Sequence, residues 1–240
     1  MVPVDQEADV PSTRRDAKNA LFDGFGRIAA ALGSGRRAEI VEVLAQGERS
    51  VEQVATEIDQ SVANTSHHLR TLARAGLVAS RREGTHVHYR LASDKVLEVW
   101  LALRGLAAEQ LAELDALADA YLGDRSQIDE IDREELLARL EHGDVVVIDV
   151  RPTGEYAAGH LPGAISVPPE EIDELLDELP ADREIVAYCR GPYCVYADDA
   201  IRRLAAHGRS ARRLREGVPE WRRLGGPVEV SAPGPRPDGG

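Results

Sequence analysis

The chain has 240 residues, of which 43% are hydrophobic, and this is enough for one large domain or two small ones. No stretch approaches the ~20 apolar residues that a membrane-spanning helix needs, and residues 1–16 lack the apolar run of a secretory signal. The net charge of −13 argues against non-specific coating of nucleic acid. We therefore expect a cytoplasmic protein with no membrane partner.

The cysteines of the chain, Cys189 and Cys194, both fall within residues 189–194. Two cysteines cannot build a disulfide framework. Their close spacing is typical of reactive thiols in a reducing compartment rather than of a structural bridge.

Helical signals dominate the first third of the chain. Residues 1–16 are polar and aperiodic, so we expect a disordered lead. Apolar residues then recur at helical spacing over 18–32 and 36–46. Ser50, followed three residues later by Gln53, predicts a capping box at the start of a short third helix.

A helix-turn-helix pattern follows. A fourth helix is expected over 62–75, and two alternating segments, 77–82 and 86–91, flank a glycine turn and predict a β-hairpin. A single long helix over 94–122 completes the pattern. Helices and a hairpin in this order predict a mainly helical winged helix-turn-helix domain over residues 17–122.

The character of the chain changes after a linker at 123–129. Two short apolar segments, 145–148 and 185–188, read as buried strands, and helical patterns surround them at 132–141, 170–179 and 195–207. This alternation predicts a small α/β domain with a parallel sheet over 130–228. Residues 229–240 are rich in proline and glycine and are expected to form a frayed tail.

A local basic segment lies inside the acidic chain. Residues 61–90 contain five arginines, four histidines and a single acid, Glu83. The fourth helix is expected to bury Val62, Thr65, Leu69 and Leu72, with His68 also facing inward. Its outer face then offers groups for base edges and phosphates; the candidate DNA contacts are Asn64, Ser66, His67, Arg70 and Arg74.

The hairpin supplies further candidate DNA contacts, which are Arg81, Arg82, Thr85 and His86. The alternative is a solvated helix face beside a charged turn. The complete helix-turn-helix with its basic hairpin favours binding of double-stranded DNA.

Residues 18–122 resemble the ArsR/SmtB family of winged-helix repressors. The segments that carry the resemblance are SHHLRTL at 66–72, AGLV at 75–78, REG at 82–84 and YRL at 89–91. The resemblance implies a homodimer, built from the first and last helices, that binds a palindromic operator and releases it on sensing a ligand.

The last helix supports a dimer by its own composition. It carries more apolar surface than a small domain needs to bury, on Val96, Val99, Trp100, Leu103, Leu106, Leu114 and Tyr121. The alternative is that this helix faces its own core.

The chain departs from the metal-sensing members of that family. Those members use cysteines near the recognition helix or histidine and acidic sets on the last helix. Residues 17–122 contain no cysteine and residues 94–122 no histidine. We therefore expect no metal site and no cofactor in this domain, and place the sensing function elsewhere.

Residues 189–194 lie between a buried strand and a helix that begins near Val195. Such a loop can turn backbone amides inward and add the field of a helix N-terminus, which lowers the pKa of a thiol and stabilises a persulfide. Gly191 permits the tight turn and Pro192 stiffens it. The alternative is an inert cysteine at the end of a strand.

Residues 130–228 resemble the rhodanese family. The matching segments are DVR at 149–151, EYAAGHLPGAI at 155–165, the cysteine segment and EGVPEW at 216–221. The resemblance implies that the thiolate of Cys189 attacks a sulfane-sulfur donor, such as thiosulfate or polysulfide, and becomes a persulfide. The backbone that would surround it belongs to Arg190, Gly191, Pro192, Tyr193, Cys194 and Val195.

Two arginines are candidate catalytic partners of an anionic donor. These are Arg190 and Arg151, although Arg151 could instead form a structural ion pair with Asp149 or Glu155. Phosphatase relatives of the fold place an arginine six positions after the cysteine, where this chain has Val195, so phosphate-ester hydrolysis is disfavoured. Cys194 could resolve an oxidised Cys189 or only fill the first helical turn.

Three functions remain open at this point. The first is a repressor whose rhodanese-like domain responds to reactive sulfur. The second is a thiosulfate-type sulfurtransferase that uses the helix-turn-helix domain for dimerisation or localisation. The third is a sensor of arsenite or a soft metal, which would need a further ligand beside the two thiols.

Overall fold

The computed structural model describes residues 13–175, 178–180 and 182–231. They form two compact units. The first contains the chain up to Val43 and residues 49–93, and the second contains residues 44–48 and the chain from Asp94 onward. Residues 94–122 therefore group with the second unit, in which the helix Asp94–Gln110 packs against the helix Val218–Arg223. From the sequence, residues 94–122 are expected to belong to the DNA-binding domain.

The first stretch of the chain is helical with a small antiparallel sheet. Its elements are α1 (Arg14–Leu32), α2 (Gly35–Ala45), β1 (Arg49–Ser50), α3 (Val51–Glu57), α4 (Val62–Arg74), β2 (Val78–Glu83) and β3 (His86–Leu91). The strand order is β1-β3-β2. The predicted hairpin is confirmed, with Glu83 opposite His86 across the turn.

Local capping explains where the helices start. The predicted capping box of α3 is confirmed, because the Ser50 side chain accepts from the Gln53 amide and the Gln53 side chain accepts from the Ser50 amide. At the start of α1, the Thr13 side chain accepts a hydrogen bond from the Asp16 amide. The helix thus begins at Arg14, earlier than the predicted residue 18, and the rest of the expected lead lies outside the described residues.

Side chains from one face of each helix pack together in the core of the first unit. Its fully buried side chains include Ile40, Val41, Val54, Leu69 and Leu72. Thr65 is buried with them as predicted, but Val62 is 45% exposed. The inward assignment of Val62 was wrong, because the first residue of α4 projects beyond the edge of this core.

The predicted single helix over 94–122 is two helices, α5 (Asp94–Gln110) and α6 (Glu113–Leu122). At the break, the Leu114 amide donates to the Leu111 carbonyl, which is a tighter turn than the α-helical one. The sequence has no glycine or proline at 111–112 to mark it. Val96, expected on the exposed face, is buried in the core.

The second unit is an α/β fold around a parallel sheet. Its further elements are β4 (Glu130–Ile131), α7 (Arg133–His142), β5 (Val145–Asp149), α8 (Thr153–Ala158), β6 (Ile165–Ser166), α9 (Ile172–Leu175), β7 (Glu184–Tyr188), α10 (Tyr196–Ala206), β8 (Ala211–Leu214) and α11 (Val218–Arg223). The strand order is β4-β8-β7-β5-β6, with every pairing parallel. The predicted fold class is confirmed.

The sheet separates two apolar layers. Ile148, Ile185 and Ala187 pack on one side with α10, while Val147, Val186 and Tyr188 pack on the other with α11. Asp149 pairs with Tyr188 in register, so β5 and β7 end together. The residues that follow them, Val150 and Cys189, therefore meet at the carboxyl edge of the sheet, where ligand sites of parallel sheets form.

The ends of the second unit differ from the prediction in two places. Of the helix expected over 170–179, the described residues show α9 at Ile172–Leu175, and residues 176–177 lie outside the described part. The expected tail begins later than residue 229, because Glu229 and His160 exchange two backbone hydrogen bonds; residues 232–240 are outside the described part. Among the described helices, none is long and apolar enough to cross a lipid bilayer.

Candidate functional site

The recognition face is the outer side of α4, formed by Asn64, Ser66, His67, Arg70 and Arg74. Ser61 caps this helix through the Asn64 amide. Because Thr65, Leu69 and Leu72 are buried on the opposite side, four of the five candidate DNA contacts are exposed, and Ser66 is half-buried. The arrangement presents donors and acceptors to solvent along one side of a rigid helix.

The hairpin brings further polar groups beside this helix. His67, Arg70 and Arg74 line one surface depression together with Ser80 and Tyr89 of the hairpin. The predicted hairpin contacts are also exposed; these are Arg81, Arg82, Thr85 and His86. Part of the hairpin charge is balanced locally, since Arg81 Nη1 lies 2.7 Å from Glu83 Oε2.

His68 occupies the boundary between the recognition face and the core. Its ring is half-buried. Burial lowers the pKa of His68, and the positive charges of Arg37, His67 and Arg36 lower it further. His68 is therefore neutral near pH 7, as suits the packing role expected from the sequence.

The cysteine loop, residues 189–195, connects β7 to α10. Cys189 and Cys194 are both free thiols and both buried. The Gly191 and Ala197 amides donate to the Cys189 sulfur, and the Arg190 and Tyr196 amides to the Cys194 sulfur. The amides around the two thiols therefore come from both the loop and the first turn of α10.

The amides around the two thiols differ in part from the predicted run at 190–195. The Cys194 amide donates to the Gly191 carbonyl, and Pro192 has no amide hydrogen. Tyr193 is 40% exposed at the tip of the loop. The helix N-terminus thus supplies donors that the sequence placed within the loop.

Each of the two thiols shifts the pKa of the other. Burial raises the pKa of Cys189, but a hydrogen bond from Cys194, the charge of Arg213 and the two backbone amides outweigh it, so the pKa lies below the usual value. The same hydrogen bond to Cys189, together with burial, raises the pKa of Cys194. Of the two thiols, Cys189 therefore loses its proton more readily, and its thiolate form accepts a hydrogen bond from the protonated Cys194.

Two glycines allow the cysteine loop to pack closely against the segment before α11. Gly191 has φ +140°, a conformation that other residues rarely adopt. At Gly217, a Cβ atom would lie only 2.3 Å from the Arg190 carbonyl oxygen. The segment 216–221, noted only as part of a sequence resemblance, therefore supports the loop from outside.

The two candidate catalytic arginines are both engaged with carboxylates. Arg190 Nη2 lies 2.5 Å from Glu155 Oε1, and its guanidinium stacks over Tyr196. Arg151 is fully buried, with Nη2 2.6 Å from Asp149 Oδ2. Of the two roles left open for Arg151, the arrangement is that of the structural ion pair.

Three residues near the loop were missed by the sequence reasoning. Arg125 and Arg213 donate to carbonyl oxygens of the cysteine loop, and both contact the buried carboxylate of Asp198. Charged residues of this kind are common, and their spacing along the chain carries no signal. Only the fold brings them together.

Comparison with known proteins assigns the family. The model of bacterial regulatory proteins of the arsR family matches residues 34–80, and the rhodanese-like domain model matches residues 132–224. The chain is 47% identical over 218 residues to the HTH-type transcriptional regulator Rv0324 of Mycobacterium tuberculosis, covering 91% of this chain and 96% of that protein. The chain belongs to the arsR family of transcriptional regulators and carries a rhodanese-like domain.

Two further similarities each cover less than half of this arsR-family regulator. A protein of Allochromatium vinosum named sulfurtransferase is 36% identical over 102 residues, which is 42% of this chain and 94% of that protein. The solved homodimeric winged helix-turn-helix DNA-binding domain (fragment 1–100) of Mb0332 from Mycobacterium bovis is 39% identical. It covers 43% of this chain and 95% of its own, with a TM-score of 0.39.

Some of the site residues lie inside the ranges that the two family models match, and others lie outside them. The recognition face and the cysteine loop lie inside them, as do Asp198 and Arg213. The hairpin residues from Arg81 onward lie beyond the arsR match. Arg125 falls between the two matched ranges, so neither family model covers it.

The polarised thiol pair predicts a difference in reactivity between its members. At pH 7, iodoacetamide should alkylate Cys189 before Cys194, because only the thiolate is the nucleophile. Trypsin separates the two cysteines into peptides 184–190 and 191–202, so mass spectrometry can follow each rate. Cys194→Ala removes the hydrogen-bond donor and should slow Cys189 alkylation by about three- to tenfold at pH 7, equivalent to about half to one pKa unit.

The matched control is Cys194→Ser, whose hydroxyl still donates a hydrogen bond and should retain most of the Cys189 rate. Faster alkylation of Cys194 than of Cys189 in the wild-type protein would contradict the assignment of the thiolate.

Proposed function

We propose that this regulator is a cytoplasmic DNA-binding repressor that responds to reactive sulfur at Cys189 and Cys194. The observation that carries the proposal is the buried thiol pair, in which Cys194, Arg213 and backbone amides all favour a thiolate on Cys189. A nucleophile in this state, on the same chain as a DNA-binding domain of the arsR family, links sulfur chemistry to transcription.

The sulfur chemistry proceeds in two steps. The Cys189 thiolate attacks the terminal sulfur of a polysulfide, the S–S bond to that sulfur breaks, and the polysulfide that is one sulfur shorter leaves as an anion with the electron pair. Cys189 then carries a persulfide, which the surrounding amides stabilise as an anion.

Cys194 completes the reaction as the resolving thiol. Its sulfur attacks the inner sulfur of the anionic Cys189 persulfide, the bond to the outer sulfur breaks, and the outer sulfur leaves with the electron pair and takes up the Cys194 proton. The products are a Cys189–Cys194 disulfide and HS⁻. The hydrogen bond through which each thiol shifts the pKa of the other supports this role.

DNA binding uses the recognition face and the hairpin. Arginines contact phosphates or guanine, while Asn64, Ser66 and His67 reach base edges. The local basic segment supplies this surface within an acidic chain. We propose a palindromic operator, because two copies of the domain related by a two-fold axis read two equivalent half-sites.

The Arg70 side chain offers a test of DNA binding. Arg70→Ala should weaken binding to the protein's own promoter and reduce the slope of log affinity against log salt by about 1, if the guanidinium neutralises one phosphate. Fluorescence anisotropy at several salt concentrations measures both quantities. Arg202→Ala, on the exposed side of α10, is the control and should change neither; equal salt slopes for all three proteins would exclude a phosphate contact at Arg70.

Exposed apolar side chains support a homodimer. On α1, Phe22 and Phe25 are each 60% exposed. On α5 and α6, Leu106 is 55% and Tyr121 65% exposed. Patches of this kind mark protein–protein interfaces, and these helices are the ones through which the family resemblance implies dimerisation.

Dimerisation can be tested at Phe25, whose exposed ring contributes little to the core of its own chain. Phe25→Asp places a charge in the proposed interface and should weaken self-association at least tenfold, equivalent to ~1.4 kcal/mol. Sedimentation velocity over a concentration series measures this. Leu224→Asp, at an exposed position after α11, should leave the association unchanged. A wild-type chain that stays monomeric would refute the dimer.

The sensing step is tested by titrating polysulfide into the complex of the protein with its own promoter. The wild-type protein should lose DNA affinity by about tenfold or more, within the usual range of allosteric coupling, and dithiothreitol should restore it. Cys189→Ser should be unresponsive. Cys194→Ser should accumulate the Cys189 persulfide without forming the disulfide, as intact-mass spectrometry would show.

A loss of DNA affinity that is equal in the wild-type protein and Cys189→Ser would refute sensing at this thiol.

The second candidate function is a sulfurtransferase, favoured by the amides that surround Cys189 and by the similarity to a protein of that name. Sustained turnover of thiosulfate without specific binding to promoter DNA would establish it in place of the regulator. The arsenite or soft-metal sensor has less support, because no group of three or more His, Cys, Asp or Glu suited to a metal occurs among the described residues.

A further inference from the structure

Two carbonyl oxygens of the cysteine loop face the Cys189 sulfur. The Cys194 carbonyl oxygen lies 3.7 Å from Sγ, and the Gly191 carbonyl oxygen lies 3.9 Å from it. A protonated thiol can donate to these oxygens. A thiolate instead meets their partial negative charges, and this repulsion disfavours the nucleophilic form.

The same two oxygens each accept a hydrogen bond from an arginine. Arg213 Nη2 donates to the Gly191 carbonyl at 2.8 Å, and Arg125 Nη2 donates to the Cys194 carbonyl at 3.3 Å. Arg125 Nη1 also donates to the Pro192 carbonyl at 3.0 Å. The planar guanidinium of Arg125 thus spans two carbonyl groups of the loop, an arrangement that a lysine cannot reproduce.

A single buried carboxylate holds both arginines. Arg125 Nε donates to Asp198 Oδ2 at 2.5 Å. Arg213 Nε lies 2.9 Å from Asp198 Oδ1, as an ion pair rather than a well-aligned hydrogen bond. Arg213 also pairs with Glu130 at 3.2 Å. The carboxylates compensate the buried charge of Arg213, which is only 1% exposed.

We propose that Arg125, Asp198 and Arg213 are positioning residues for the Cys189 thiolate. The two guanidinium groups cap the carbonyl oxygens that face the sulfur, and Asp198 keeps both groups in place. The inference rests on the proposed role of Cys189 as the reacting thiol.

The physical effect is electrostatic and geometric together. The positive charge of a guanidinium that donates to a carbonyl offsets the partial negative charge of its oxygen, so the pair repels a nearby anion less than the carbonyl alone. The bonds also hold the loop backbone, so that the Gly191 and Ala197 amides remain directed at the sulfur. In keeping with this, the charge of Arg213 lowers the pKa of Cys189 against the burial that raises it.

Arg125 is the residue to change, because its side chain is 24% exposed and its loss leaves Asp198 paired with Arg213. The experiment measures the rate of Cys189 alkylation by iodoacetamide against pH in the full-length protein, using the tryptic peptide 184–190. Arg125→Gln should raise the midpoint of this profile by about half a unit or more, which slows alkylation about threefold or more at pH 7.

Arg125→Lys keeps the charge and can bond one of the two carbonyls, so its midpoint should lie between those of Arg125→Gln and the wild-type protein. If Arg125→Gln fails to fold, the shift of the alkylation midpoint in Arg125→Lys tests the proposal by itself. Arg203→Gln, at an exposed position on α10, is the control, and its profile should superimpose on that of the wild-type protein.

The proposal is overturned if the midpoints of both Arg125 variants equal that of the wild-type protein, or if their rates fall by the same factor at every pH. The second result would show a structural role only. Alkylation requires neither DNA nor a sulfur donor. If polysulfide leaves the DNA affinity of the wild-type protein unchanged, the proposed sensing is refuted. The comparison of alkylation midpoints between the Arg125 variants and the wild-type protein still tests the positioning role.

Discussion

Lowering the pKa of a thiol that is buried in a protein core is the constraint on which the cysteine loop depends. Burial alone favours the neutral thiol, so a thiolate at Cys189 requires donors and positive charge close to it. The carboxyl edge of the parallel sheet supplies the place, since β7 ends immediately before Cys189 and α10 begins a few residues later. The thiol of Cys194, the backbone amides and Arg213 supply the charge and the hydrogen bonds.

The arginines at this edge of the sheet are each matched with carboxylates. Arg190 pairs with Glu155, Arg151 with Asp149, and Arg213 with both Asp198 and Glu130. Matched pairs of this kind fix geometry more than they add net stability, because desolvation offsets much of the attraction between the charges. These ion pairs hold the backbone of the cysteine loop from several sides. A fixed backbone keeps the amide donors directed at the Cys189 sulfur.

The two halves of the chain use different physics for their chemistry. The recognition face of α4 consists of polar side chains on one side of a helix, and the DNA contacts that we propose for it would depend on salt. The cysteine loop is buried, and its chemistry depends on local hydrogen bonds that salt screens little. Arg125 follows α6 by three residues and reaches the cysteine loop, so the helix pair α5–α6 and the reactive thiol are joined by one short piece of chain.

Local patterns in the sequence determined much of this protein. The capping box at Ser50 and the buried strands β5 and β7 could be predicted because each depends on residues adjacent in the chain, and both family resemblances followed from short motifs. The break between α5 and α6 has no glycine or proline to mark it, β4 and β6 are only two residues long, and β8 carries two arginines where an apolar run would have marked a strand. The contacts of Arg125 and Arg213 with Asp198 were decided by the tertiary structure alone, because packing brings together charged residues that lie far apart in sequence.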